Sequence, residues 1–316
     1  MKIWLFSNLH LNCGIGEYGR DLAAELRKWG NDVTLSIGPR VPAEIVLVNW
    51  HNGRIHVTPY DVKKWQSEGS KVVIILHNSW SGAELGPENL DILACADVVV
   101  AHEPMKFKPE PKRFCYIKHG LTTVENLPEV QCESVGTAGF PFQWKRTDLV
   151  ACVAKELGIK CRIAAPRHDS EPTDPYVSGI AGHLGPLGDI RREWMPKENV
   201  IRLLASCTMN IFWYESRNQM DELGQSGSVL MGVAAGRPMI ISRHRKFRVL
   251  IEEYPEEFYV ADTDREVYTI AREILNTPEN ELRRPWRARE DMSWEWVGHK
   301  FQDLLQSLVE EKCESD

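Results

Sequence analysis

The sequence has no apolar run approaching the roughly 20 residues that a membrane-crossing helix needs. Met1-Lys-Ile-Trp-Leu-Phe-Ser is apolar but stops at once on Asn8 and His10, so it reads as a first β-strand and not a signal peptide. An excess of positive charge is also missing. Thirty-eight Lys and Arg stand against 45 Asp and Glu, a net charge of −7. No global field therefore draws nucleic acid or an anionic membrane, although local basic clusters still can. The eight cysteines are scattered and form no C-x-x-C pair, so they read as reduced, mostly buried thiols of a cytoplasmic protein. Short-period repeats and low-complexity blocks are absent. So is a dinucleotide fingerprint: Gly14-Ile-Gly16 lacks the third glycine, and no acidic residue closes the strand that follows.

What is present is an α/β pattern. At 316 residues, with 43% hydrophobic and 26% charged content, the chain is long for one domain and comfortable for two. It is organised around Asn210 to Ser242, which reads as strand, loop, short helix, strand. Ile211 to Tyr214 is a short apolar and aromatic run. Ser226-Gly227-Ser228 makes a helix start, in which serine can cap free N–H groups and glycine lets a ligand approach the backbone. Val229 to Ala235 is apolar enough to be buried. Gly236 suits a left-handed C-terminal cap, and Pro238 cannot continue the helix. A small-residue loop that enters a helix at a strand's carboxyl end suits an anion, because the helix dipole and the unpaired N–H groups both favour phosphate. Most strand–loop–helix units nevertheless bind nothing, and that plainer reading stands beside this one.

In chain order, Ile3 to Ser7 reads as a strand and Asn8 to Glu17 as a loop holding Gly14 and Gly16, followed by a helix ending at Gly30. Further strands are expected at 32–37, 43–49, 71–76, 97–101 and 113–117, with a helix over 58–68. His77 closes the aliphatic strand Lys71 to Leu76 at its carboxyl end, where open α/β sheets bind ligands. His119 is read as a hydrogen-bonded surface residue. Leu121 to Gln131 lacks periodicity and reads as a linker. A second series opens with a strand at 134–138. After the loop carrying Lys145 and Arg146 comes a helix from Thr147, then a strand at 160–164. A positive pair at a helix N-terminus opposes the dipole unless an anion is present. Pro166 to Lys197 is rich in Gly and Pro and is expected to hold a short strand and loops; 200–206 reads as a short helix. Arg243, Arg245, Lys246 and Arg248 form a dense basic cluster behind the strand Met239 to Ser242. Four cations in six residues repel one another unless an anion joins them; a solvated face accounts for them equally well. Thr263-Asp-Arg-Glu266 is a capping box, and the last helix is expected over 291–311.

The ordered set of these segments resembles the glycosyltransferases of family 4 (glycosyltransferase group 1), which have the GT-B fold. The resemblance is strongest at Gly14 to Leu26, Val135 to Lys160, Ala205 to Ile241 and Trp294 to Leu308. It implies two Rossmann-like α/β domains, 1–128 on the acceptor side and 129–290 on the donor side, with 291–316 returning to the first. It implies transfer of a sugar from a nucleotide-diphosphate sugar to a hydroxyl, with retention and with neither metal nor cofactor. On this resemblance Glu222 orients the donor sugar and His77 lies near the reacting centre. Gly14, Gly16, Lys145, Arg146, Ser226, Gly227, Ser228 and Arg245 hold the substrates. The sequence departs from the family at Met231, which stands where a second glutamate is usual. A GT-B-like nucleotide- or sugar-binding protein without catalysis, and a GT-B sugar-nucleotide epimerase, remain as alternatives. The basic cluster points to an anionic acceptor, such as a nucleic acid or a lipid phosphate.

Overall fold

The computed structural model describes residues 1–9, 14–50, 55–77, 87–104, 110–167, 173–215 and 225–313. The chain divides into two compact units. The first comprises Met1–Gly120 and Asp291–Asp316; the second comprises Leu121–Asp221 and Ser226–Glu290. The first change of unit thus falls after Gly120, ahead of the boundary at 128 read from the sequence.

Unit 1 is built on six parallel strands: β1 (Lys2–Phe6), β2 (Asp32–Ser36), β3 (Ile45–Trp50), β4 (Lys71–Leu76), β5 (Val98–Ala101) and β6 (Phe114–Tyr116). They lie in the order β2-β1-β3-β4-β5-β6. Its helices are α1 (Gly14–Lys28), α2 (Pro59–Ser67) and α3 (Pro87–Cys95). The central strands β4 and β5 are almost wholly aliphatic because both of their faces are covered. Alternate residues go to opposite cores: Ile3, Leu5, Ile45, Leu47, Val73 and Ile75 pack on one side, and Trp4, Val46, Val48, Val72 and Ile74 on the other. Thr58 and Asp61 close a reciprocal capping box on α2, with Pro59 in its first turn.

Unit 2 repeats the plan. Its strands are β7 (Ser134–Ala138), β8 (Lys160–Ala164), β9 (Gly188–Arg191), β10 (Met209–Phe212), β11 (Met239–Ser242) and β12 (Tyr259–Ala261). They form a second six-stranded sheet, ordered β12-β11-β10-β7-β8-β9 and parallel throughout. The helices are α4 (Thr147–Leu157), α5 (Asp174–Leu184), α6 (Lys197–Ala205), α7 (Gly227–Ala235), α8 (Arg248–Glu253), α9 (Asp264–Asn276) and α10 (Trp286–Asp291). The capping box read at Thr263 and Glu266 is formed on α9. The last helix, α11 (Trp294–Cys313), belongs to unit 1, where Val297, Phe301, Leu304, Leu305 and Leu308 pack with Tyr18, Leu22 and Leu26 of α1.

Three local readings change. Helix α1 starts at Gly14, so Gly14 and Gly16 sit in its first turn and not in a loop. The last helix, expected from 291, is α11 and starts at Trp294; Asp291 instead ends a separate short helix, α10. The segment 166–197 contains a full helix, α5, besides the strand β9. Its Gly179 and Gly182 lower helix propensity and hid it. Buried Val177, Ile180 and Leu184 hold it in place nevertheless. Among the described residues no helix is long and apolar enough to cross a membrane.

Candidate functional site

In each sheet the strand order reverses next to the strand that opens it, between β1 and β3 and between β7 and β10. Open α/β sheets bind ligands beyond the carboxyl ends of the strands at such a point.

In unit 2 that point lies where β7 runs into Gly139 and β10 into Trp213 and Tyr214. Gly139 has φ of +113°, a conformation open mainly to glycine. A Cβ there would overlap the Ser228 hydroxyl and stand 3.2 Å from Lys145 Nζ. The backbone of Gly139, the second residue of α7 and the Lys145 ammonium therefore converge on one spot. Lys145 Nζ lies 5.4–5.7 Å from the ring centroids of Phe142, Trp144 and Tyr214, so three aromatic faces support its charge. The Tyr214 hydroxyl meets Ser226 Oγ at 3.1 Å and also bonds Ser228. Burial pushes that phenol up to about 12, so it stays protonated. Ser242 holds the Tyr214 backbone, its Oγ accepting from the N–H at 2.9 Å and donating to the carbonyl at 3.0 Å. Beneath the ring, His244 and Phe247 complete the packing, at 5.7 and 4.7 Å between centroids. Ser226 is the N-cap residue of α7, and its side chain caps no N–H group of the helix. The start of α7 is thus an anion-favouring end with a cation and hydroxyls around it. Close packing fixes its aim: a Cβ on Gly232 would come within 2.5 Å of Phe212 and 2.9 Å of Met239.

Arg146, next to Lys145, is used differently. Its backbone is left-handed, φ 45° and ψ 44°, where the 3-10 turn Gln143–Lys145 ends and α4 begins. That turns the guanidinium onto Glu215 at 2.6 Å, Asp264 at 3.0 Å and Asp148 at 3.3 Å. The same network takes up half of an Asp-x-Asp triplet, Asp262-Thr263-Asp264, against the expectation from the sequence that no such motif is present. Asp264 pairs with Arg146 and Asp262 with Arg243, at 2.9 Å. In the basic cluster Arg248 meets Glu252 at 3.9 Å, while Arg245 is exposed. Glu222 lies outside the described residues.

In unit 1 the carboxyl ends of β4, β5 and β6 each deliver a histidine. His77 and His102 directly follow β4 and β5, and His119 comes three residues after β6. Neighbouring parallel strands lie about 4.8 Å apart, which brings the three rings together. Centroids are 5.0 Å apart for His77 and His102, 4.8 Å for His102 and His119, and 5.8 Å for His77 and His119. Tyr18 of α1 packs on all three at 4.4–5.1 Å. His77 and His102 are buried, and His119 is half-buried, not at the surface. Gly14 is exposed at the start of the same helix and Gly16 is buried. His102 escaped the sequence reading. A histidine one residue past an all-aliphatic strand was the signal available, and the same signal identified His77.

No family model and no curated protein sequence matches the chain. Solved structures do match over nearly the whole chain. HepE of Anabaena, in complex with UDP, is 11% identical, covers 97% of this chain and 99% of its own, with a TM-score of 0.69. A glycosyltransferase from Rickettsia africae is 10% identical over 98% of both chains, at 0.70. An alpha-glucosyltransferase in complex with UDP and a 13-mer DNA containing an HMU base is 15% identical, covers 94% of this chain and 95% of its own, at 0.62. At these identities the likeness shows the fold: two parallel six-stranded sheets with covering helices, as in GT-B glycosyltransferases.

Proposed function

We propose that the chain is a glycosyltransferase that moves a sugar from a nucleoside-diphosphate sugar to a hydroxyl acceptor. The observation that carries this reading is the convergence of Lys145 Nζ, the Ser228 hydroxyl and the open backbone of Gly139 at the start of α7. Charge develops on the departing diphosphate as the glycosidic bond breaks, and preorganised donors lower the barrier by meeting it. Lys145 supplies the cation; Ser226, Gly227 and Ser228 supply the helix end. Arg146 holds Glu215 and Asp264 beside this spot and contributes geometry more than charge. Glu222 is assigned the donor sugar on resemblance. HepE has been solved with UDP and with UDP-glucose, which makes these the first ligands to try.

The test is calorimetry of UDP and UDP-glucose against the wild type and Lys145→Ala. Losing one charge-assisted bond of about 1.5–3 kcal/mol should weaken UDP by roughly ten- to a hundredfold. Equal affinity in the two proteins removes Lys145 from the site. A second reading, a nucleotide-sugar-binding protein without catalysis, is favoured by α7 itself, which carries no acidic residue and has Met231 at its centre. Binding of UDP-glucose without transfer or hydrolysis supports that reading over the first.

The acceptor in this reading is anionic. Arg245 is exposed just beyond β11, and one structural neighbour was solved with DNA. Replacing Arg245 and Lys246 with Ala should reduce transfer to an anionic acceptor, and reduce it more at low salt, with UDP affinity retained. Unchanged turnover at two salt concentrations makes the cluster a solvated face.

A further inference from the structure

We propose that His77, His102 and His119 form a binding site for one divalent first-row transition metal, Zn²⁺ by the nature of the donors. One ligand atom from each ring can be chosen so that all lie within 4.8 Å of one another. A tetrahedral zinc site, with bonds of 2.0–2.1 Å, places its nitrogens about 3.3 Å apart, so modest ring rotations close the site.

Which nitrogens point inward follows from the outer hydrogen bonds. His102 Nδ1 lies 2.9 Å from the Ile117 carbonyl, and His119 Nδ1 lies 2.7 Å from the Gly120 carbonyl. A carbonyl oxygen only accepts, so both Nδ1 atoms carry the proton and both Nε2 atoms carry the lone pair. His77 Nε2 bonds the Asn49 side-chain oxygen. The Asn49 amide is held in that sense because its Nδ2 donates to the Ile15 carbonyl at 2.8 Å and to Ser7 Oγ at 2.7 Å. His77 Nε2 is therefore the donor, and its Nδ1 has the lone pair. Each imidazole thus donates one N–H to an oxygen, as metal-binding histidines usually do.

A second observation points the same way. His102 is 3% exposed, and its Nε2 is buried with no hydrogen-bond partner among the described residues. The Tyr18 hydroxyl in the same cluster is also buried and unpartnered. Ordinary core histidines satisfy both nitrogens, because leaving one unmet is unfavourable. A metal ion meets the lone pair that nothing else there meets. Nitrogen-only donors select zinc-like ions over Mg²⁺ or Ca²⁺, which take oxygen. Three protein ligands leave a fourth position for water or a further ligand. This site lies wholly in unit 1, whereas Lys145 and Ser228 lie in unit 2, so the two assignments stand or fall separately.

The experiment uses full-length protein freed of metal by a chelator and dialysis, without nucleotide sugar. Zn²⁺ is titrated by calorimetry and Co²⁺ is followed by visible absorption. One equivalent of Zn²⁺ should bind and raise the melting temperature, and Co²⁺ should give the visible bands of a four- or five-coordinate nitrogen site. Excess Mg²⁺ should not compete. His102→Gln and His119→Gln should each lower affinity by at least about tenfold, since even outer-shell partners typically matter that much. His119 is half-buried, so its variant carries the test if His102→Gln does not fold. Absence of saturable one-equivalent binding, or unchanged affinity in folded His119→Gln, overturns the proposal.

Discussion

Lys145 and Arg146 are adjacent cations with opposite duties. Lys145 faces Gly139 and Ser228 across a bed of aromatic rings; Arg146 is surrounded by Asp148, Glu215 and Asp264. Arg146→Ala should therefore lower stability where Lys145→Ala lowers affinity. The three carboxylates left facing one another have side chains 42–46% exposed, so solvent screens much of the effect. A loss of about 1–2 kcal/mol in urea-induced unfolding is expected. A midpoint equal to wild type would mean the network contributes nothing to stability. The pair shows how far residues could be read from the sequence. The dipole gave the expectation that one of the two cations meets an anion at a helix start. That Arg146 is taken up by the chain's own carboxylates depended on its left-handed backbone and on Asp264, 118 residues away, and neither is visible in a local pattern. His102 was missed for a related reason: its partners come from β4, β6 and α1, and only the sheet order makes them neighbours.

At the scale of elements, the strands were the most legible parts. β4 and β5 fall within a residue of where their aliphatic runs put them, because a parallel strand covered on both faces is apolar at nearly every position. Helix ends were legible where a cap exists, as at Thr263 and Gly236. They were not legible where packing overrides propensity, as in α5. Helix α11 has a role its sequence position does not suggest, since it fills the core face of unit 1 beside α1. Phe301, fully buried there, anchors it. Phe301→Ala should destabilise the protein by about 3–5 kcal/mol, the usual result of a large cavity in a packed core. A shift in the urea midpoint worth less than 1 kcal/mol would show that α11 is dispensable to that core.

On the scale of the whole molecule, one plan is used twice. Both units carry a parallel sheet whose order reverses beside its first strand, and in both the side chains with chemistry stand past the carboxyl ends of strands. The two-part α/β organisation was legible from the repeated strand–helix pattern, whereas the return of the chain from 291 to unit 1 came only from the family resemblance, since it depends on contacts far apart in sequence. The same molecule offers a handle to the protein engineer. Helix α5 bears two exposed glycines, Gly179 and Gly182, and a methyl group at either would touch nothing within 4 Å. Gly232 in α7 is locked by its neighbours, whereas these two are held only by history. Converting both to alanine narrows the unfolded ensemble without altering any binding surface described above. Each exchange should raise stability by roughly 0.5–1 kcal/mol, read as a higher melting temperature with UDP affinity unchanged. A double variant that melted lower would show that α5 draws its shape from something other than helix propensity. One that melted higher would be a hardier starting point for directed evolution of the acceptor preference.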